Sequence, residues 1–286
     1  MKPPPFEYFA PTSLEEATSL ASRPNTRFLA GGQSLMPLLN MRLTHPEALI
    51  DLNRVEGLAT VAIGPEGKLR LGAMVRQRTL EVDPSIRQAV PVLAEAASHI
   101  AHLPIRTRGT IGGSLAHADP AAELPATMAL LGADLHISGP TGDRVQPAST
   151  FFTAPFTTGL RDGEILTGVE ISSPPAGTGW AFLEVTRTHG AFALVGVAAL
   201  IASDGDVITF SRLALFGVGG VPYVPDWASS WFPGRLLSPA LVAEAASRVA
   251  DEIAPLPDIH AGVDYRRRVA AALTRRALTS AAGRAR

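Results

Sequence analysis

The sequence predicts an α+β chain with a boundary near residue 175, and three observations predict it. Short apolar runs alternate with helical patterns through the first 171 residues. A proline-, serine- and glycine-rich stretch, Ser172-Ser173-Pro174-Pro175-Ala176-Gly177, then interrupts all periodicity. Beyond it, apolar strand patterns come first and two amphipathic helical patterns follow.

The elements follow in order. Ser13 with Glu16 forms a capping-box pattern, and Leu14, Ala17, Leu20 and Ala21 have helical spacing, so a short helix is predicted from Leu14 to Arg23. Phe28-Leu29-Ala30 is a buried strand running into Gly31-Gly32. Ala48–Leu52 is a second strand, and Lys68–Ala73, alternating polar and apolar, a third. Pro91–Ile100 is an amphipathic helix with proline in its first turn. Ala121–Leu131 is helical, and Gly132 supplies its stop. Asp134–Ser138 and Glu164–Ile171 are strands around the turn-rich Gly139–Asp143. Past the linker come strands near Trp180–Thr186, Ala193–Ala202 and Arg212–Gly217, then helices near Pro239–Ile253 and Asp264–Leu278.

Composition narrows the function. A net charge of −1 gives no general attraction to nucleic acid or to an anionic membrane. The absence of cysteine removes disulfides, thiol nucleophiles and thiolate-held metal centres. The amino terminus lacks the apolar core of a signal peptide, and the longest apolar stretch, Ala191–Ala202, is too short to cross a bilayer. A cytoplasmic protein without a membrane span is expected.

Two glycine pairs carry the functional signal: Ala30-Gly31-Gly32-Gln33-Ser34 and Thr110-Ile111-Gly112-Gly113-Ser114. A Gly-Gly step lets backbone N–H groups turn toward one anion, with no Cβ in the way and positive φ accessible. Neither pair has the spacing of a Rossmann turn or a P-loop. The first loop is therefore either a phosphate cradle, with the Ser34 hydroxyl and nearby charge from Arg27, or a plain tight turn. Pro37 keeps any helix after it short. The second is flanked by Arg106 and Arg108 and leads through Asp119 to Glu123. That carboxylate suits either a ribose diol or the positive end of its own helix. A ligand with two phosphates that touches both loops points to a dinucleotide.

Other groupings carry less. Ser114, His117 and Asp119 are too close in sequence for a catalytic triad, whose members converge from separate elements. His99 and His102 lack a carboxylate that would complete a metal motif. Trp227 and Trp231 suit a packing pair. Arg266-Arg267-Arg268 and Arg275-Arg276 suit a solvated or subunit-facing helix side.

Taken together, AGGQSLMPLLNMRL (30–43), RGTIGGSLAHADPAAELPA (108–126) and DIHAGVDYRRRVAAALTRRAL (258–278) resemble three segments, in the same order, of the FAD-binding medium subunit of the molybdenum hydroxylases. The group includes carbon monoxide dehydrogenase and xanthine dehydrogenase. The resemblance implies two small α/β subdomains of the PCMH/VAO type clasping FAD, about 1–57 and 58–175. A carboxy-terminal α+β domain over 176–286, with an antiparallel sheet and helices, would follow. It also implies that residues 30–34 and 110–114 hold the pyrophosphate. Glu123 would contact the dinucleotide's sugar, Leu166 would lie near the cofactor, and Arg27 matches a position that is often basic. Where many members read Arg-Arg-x-Gly-Asp, this chain has Arg187-Thr188-His189-Gly190-Ala191, and Leu183 stands where some carry lysine.

The implied activity is electron transfer within a heteromer, assembled as a dimer of heterotrimers. Iron–sulfur clusters would sit on a small subunit and the molybdopterin cofactor on a large one, with an external acceptor receiving the electrons. The alternatives are a self-contained FAD-dependent oxidoreductase of the same fold and a non-catalytic subunit with a vestigial flavin site.

Overall fold

The structure, a computed structural model, describes residues 1–64 and 66–285. The chain begins with β1 (Glu7–Phe9), α1 (Leu14–Leu20), β2 (Thr26–Leu29), α2 (Leu35–Asn40) and β3 (Ala48–Asp51). The three strands form a parallel sheet in the order β1-β3-β2. Ser13 caps α1 as its sequence pattern predicts, accepting from the Glu16 amide, while Glu16 accepts from the Thr12 amide. The helix stops at Leu20, short of Arg23. Pro37 lies in the first turn of α2, where its missing N–H leaves no ladder bond unmade.

A second segment contains β4 (Val61–Ile63), β5 (Leu69–Gly72), α3 (Gln77–Val82), α4 (Pro84–Ala89), α5 (Pro91–His99), α6 (Leu103–Arg106), α7 (Ile111–His117) and α8 (Glu123–Leu131). It continues with β6 (Asp134–Gly139), β7 (Gly142–Pro147), α9 (Ala148–Phe151), β8 (Phe152–Ala154), β9 (Thr157–Thr158) and β10 (Ile165–Ile171). An antiparallel five-stranded sheet runs β4-β5-β10-β6-β7, and β8 pairs with β9. The turn-rich Gly139–Asp143 is the tip of the β6–β7 hairpin, with Gly139 opposite Gly142. Gly132 ends α8 at φ +63, the left-handed cap that glycine adopts without a Cβ penalty.

The last segment has β11 (Gly179–Thr186), β12 (Ala193–Asp204), β13 (Val207–Phe216), α10 (Trp227–Trp231), α11 (Pro239–Glu252) and α12 (Val263–Arg284). Its sheet is antiparallel, β11-β12-β13. The apolar run noted in the sequence is the middle strand β12, buried on both faces. Val195, Val197, Ala199 and Ile201 face Leu241, Ala245, Val249, Ala270, Leu273 and Ala277 of the two long helices. Ala198 and Leu200 face the other way, into a core shared with Leu93, Leu115, Leu124 and Met128. One continuous core thus joins the carboxy-terminal sheet to α5, α7 and α8. A strand covered on both faces has no need of alternation, which is why β12 reads as an unbroken apolar run.

Two sequence expectations are corrected. The predicted strand at Arg212–Gly217 begins at Val207, so β12 and β13 form one long hairpin. The Arg266–Arg268 cluster is not wholly solvated. Arg266 is buried, donating to the carbonyls of Leu194 and Gly217 and pairing with Asp258 at 2.6 Å. Its Nη1 thus binds carbonyls at the start of β12 and just past β13, while its Nε is buried without a partner among the described residues. Among the described residues no helix is long and apolar enough to cross a membrane.

Candidate functional site

The two glycine pairs meet. An ideal Cβ on Gly31 would stand 2.3 Å from the Arg108 carbonyl oxygen and 2.8 Å from Gly109 Cα, and one on Gly113 would stand 3.3 Å from Ala30 Cβ. The first loop therefore lies directly on the backbone leading into the second. Glycine at 31 is required by that approach, since any side chain there would overlap main-chain atoms.

The loops differ in what their amides do. In the first, only Gly32 has positive φ, at +73. None of the N–H groups of Gly31, Gly32, Gln33 and Ser34 donates to a protein acceptor among the described residues. Four consecutive donors left over, on a loop where Gly31 is buried and Gly32 and Gln33 are partly so, form a nest suited to an anion. The Ser34 side chain makes no capping bond to α2 and is exposed.

The second pair behaves otherwise, and the expected cradle of amides is corrected there. Thr110 is the N-cap of α7, and neither Gly112 nor Gly113 has positive φ. The Ile111 amide donates to Val75 O, Gly112 to Ala73 O, Gly113 to Thr110 Oγ1 at 3.0 Å, and Ser114 to Thr110 O. All four donors are used within the protein. Gly112 is demanded by contact with Ala73, whose Cβ a side chain would meet at 2.5 Å. What this loop offers a ligand is the surface of Gly113 and the half-buried Ser114, next to Ala30. Ile111 is fully buried in the core.

The remaining predicted positions separate. Arg27 is exposed on β2 and forms no ion pair among the described residues. Leu166 is buried in β10 opposite Ile137, one residue before Thr167, whose carbonyl accepts from Ala73. Arg106 does not reach toward the loops. It is buried, bonded to Glu81 and to the carbonyls of Ile100 and Ala101. Asp119 is partly committed, its Oδ1 accepting from the Ala121 amide after Ala118 ends α7 in the left-handed region. The altered segment folds as a turn in which the Ala191 amide donates to Thr188 O.

Glu123 opens α8 and is 7% exposed. Burial pushes its carboxyl up to about 8, partly opposed by its own amide, and the nearby Glu184 charge adds to the rise. At neutral pH the group is mostly a neutral acid that donates as well as accepts, rather than the carboxylate its helix position suggests. Glu184, which sequence reasoning did not single out, is the acid whose charge bears on Glu123. It sits on β11 with His99 Nδ1 3.5 Å from Oε1, while Oε2 is buried with no hydrogen-bond partner. Its hydrogen bond to Glu184 raises the His99 pKa against the effect of burial. The only sequence signal was an acid inside the apolar strand Trp180–Thr186. Trp227 and Trp231 pack edge to face and are a packing pair.

Four spare amides on the first loop, with the Ser114 hydroxyl and the Glu123 carboxyl on and after the second, suit a ligand with an anionic part and hydroxyl groups. A dinucleotide with a polyol chain has both.

Comparison with known proteins agrees. The family described as FAD binding domain in molybdopterin dehydrogenase matches residues 4–174, and that described as CO dehydrogenase flavoprotein C-terminal domain matches residues 180–281. The chain is 37% identical to the caffeine dehydrogenase subunit beta of Pseudomonas sp. (strain CBB1), covering 99% of this chain and 97% of that relative. It is 35% identical to the carbon monoxide dehydrogenase medium chain of Hydrogenophaga pseudoflava, covering 98% of each. A solved carbon monoxide dehydrogenase structure from Hydrogenophaga pseudoflava superposes with a TM-score of 0.97 at 34% identity over 100% of both chains. Quinoline 2-oxidoreductase from Pseudomonas putida 86 superposes with a TM-score of 0.95 at 38% identity over 99% of both. The two family models and the whole-length likeness in sequence and structure place the chain in one family: it belongs to the FAD-binding medium subunits of the molybdenum hydroxylases.

Proposed function

We propose that this chain is the flavin-carrying electron-transfer subunit of a heteromeric molybdenum hydroxylase in the cytoplasm. It would work with an iron–sulfur small subunit and a molybdopterin-bearing large subunit, assembled as a dimer of heterotrimers. The observation that carries the reading is the row of four amides on Gly31–Ser34 that bond to no protein acceptor. An anion there would satisfy donors that otherwise remain unpaired at a partly buried loop. Ala30 to Ser34 would hold the pyrophosphate by backbone donors. Thr110 to Ser114 would close its other side by shape, with Gly113 and the Ser114 hydroxyl as the contact. Glu123, flanked by Asp119, would meet sugar hydroxyls, and Leu166 would back the cofactor from the core. Arg27 would contribute long-range charge only.

Bound FAD supplies the conversion of one-electron arrivals into a two-electron delivery to an external acceptor. The chain's own part is to bind it, orient it and limit water around it. Substrate hydroxylation belongs, in this reading, to the molybdenum subunit. The division into units of 1–175 and 176–286 is likewise proposed, the first for the cofactor and the second for support through the shared core.

The test is purification of the chain with its neighbours. A yellow complex that releases FAD on denaturation, with a cysteine-rich small chain and a molybdenum-containing large one, supports the proposal. A colourless protein that cannot be reconstituted with FAD overturns it. Turnover of a small substrate by this chain alone would favour the self-contained oxidoreductase instead.

A further inference from the structure

Gly31 lies against the main chain of Arg108 and Gly109, a separation that something has to fix. A side-chain bridge does so from outside the loops. Arg76, between β5 and α3, donates from Nη1 to the Arg108 carbonyl at 2.6 Å and from Nη2 to Asn53 Oδ1 at 2.6 Å. Asn53 in turn donates from Nδ2 to the Ala30 carbonyl at 2.9 Å. The path Arg108–Arg76–Asn53–Ala30 thus ties the approach to the second loop to the start of the first.

Both ends of the bridge are anchored. The Asn53 amide and Nδ2 also donate to Asp51 Oδ1, and Asp51 Oδ2 accepts from Tyr8. Arg76 forms an isolated strand-like bridge with Thr110, and the Gln77 amide after it donates to Gly109 O. A planar guanidinium presents its donors in a fixed fork, so two acceptors are held at a set angle as well as a set distance. Among the described residues Arg76 forms no ion pair, and its guanidinium is committed to the Arg108 carbonyl and Asn53.

We propose that Arg76, acting through Asn53, is the positioning residue that sets the gap between the two glycine loops and so determines how tightly the chain holds its dinucleotide. This rests on the flavin reading above. Neither residue belongs to the glycine segments, and Arg76 has its effect through main-chain carbonyls rather than through the ligand.

The experiment measures FAD affinity of the full-length apoprotein by flavin fluorescence, together with hydrogen exchange without FAD. Arg76→Met is expected to weaken FAD binding tenfold or more. It should also speed amide exchange over 30–35 and 108–111 while leaving β12 unchanged. Arg76→Lys, which keeps charge but not the fork, should recover only part of the affinity. Asn53→Leu should cost as much as Arg76→Met, and the double variant no more than either, because both cut one bridge. Wild-type affinity in Arg76→Met, or losses that add in the double variant, overturns the inference. If Arg76→Met does not fold, Arg76→Lys and Asn53→Leu give the same two readouts. Failure of the wild-type chain to bind FAD refutes the flavin reading itself, and the exchange data then still report whether the bridge holds the loops.

Discussion

Gly31 faces the Arg108 carbonyl so closely that a Cβ at residue 31 would stand 2.3 Å from its oxygen. No real Cβ contact is that short, and the obstacle is main chain, which moves only if the loops part. Gly31→Ala is therefore expected to destabilise the apoprotein by about 1–3 kcal/mol, the usual cost of forcing atoms into a packed site. It should also lower flavin content. Urea denaturation with the bound flavin measured in parallel checks this; parent-like stability would mean that the loops do not approach as described.

Gly113 poses a different constraint. Its φ is not positive, so the demand is for space: a Cβ would lie 2.8 Å from Thr110 Oγ1 and 3.3 Å from Ala30 Cβ. The branched side chain of Gly113→Val should push Ala30 and the capping threonine apart and weaken FAD binding by about tenfold or more, roughly 1.4 kcal/mol. Gly113→Ala should be much milder, since alanine favours the helix by about 0.5–1 kcal/mol over glycine and offsets part of the strain. Equal affinities for parent and Gly113→Val in a fluorescence titration would remove this residue from the site.

Glu123 sets a pH dependence whose sign can be worked out. Its carboxyl titrates near 8 when folded, raised first by burial, against about 4.3 when unfolded. Between those values the folded state binds more protons than the unfolded one, so stability from this group falls as pH rises. The contribution is fully present below about pH 4 and exhausted above about pH 8. Glu123→Gln should abolish that slope in the apoprotein. Chemical denaturation of both proteins from pH 5 to pH 9 provides the comparison, and a difference constant across the range would contradict the buried neutral acid.

Arg106 tests the opposite assignment, a basic residue beside the second loop that serves structure. It holds Glu81 at 2.9 Å and two carbonyls of the turn after α5. Burial pushes the Glu81 carboxyl up, but hydrogen bonds from Arg78 and Arg106 together outweigh it and hold the group below its ordinary value. Arg106→Met should cost about 1–3 kcal/mol, because the buried Ile100 carbonyl loses its donor while Glu81 keeps Arg78. The folded fraction should keep a full complement of flavin. A folded but flavin-free variant would return Arg106 to the binding site.

The legibility of the site followed the locality of its signals. Ser13 and Glu16, Gly132 and the buried run of β12 act through neighbours in sequence, and their patterns predicted the elements that form. The Gly112-Gly113 pair showed that a backbone approaches something closely, but not what. Only the fold reveals that Gly112 meets Ala73 and that the amides of this pair are already bonded. Arg266 was misjudged for a related reason. A run of three arginines looks like a solvated face until carbonyls at the ends of two strands are found within reach of one of them. Glu184, Arg76 and Asn53 gave almost no signal, because a single polar residue in a strand or turn is ordinary until its distant partner is known.

The α+β pattern, the family and the two glycine segments are legible without coordinates, since each rests on residue types and spacings that survive in an extended chain. The tertiary structure alone decided that the first loop keeps four amides free while the second spends its own. It also decided that Glu123 is a neutral acid beside Glu184, and that Arg76 and Asn53 span the gap between the loops. Those properties depend on which groups exclude water and which carbonyls come within reach. Burial and hydrogen-bond pairing are set by contacts between residues far apart in the chain.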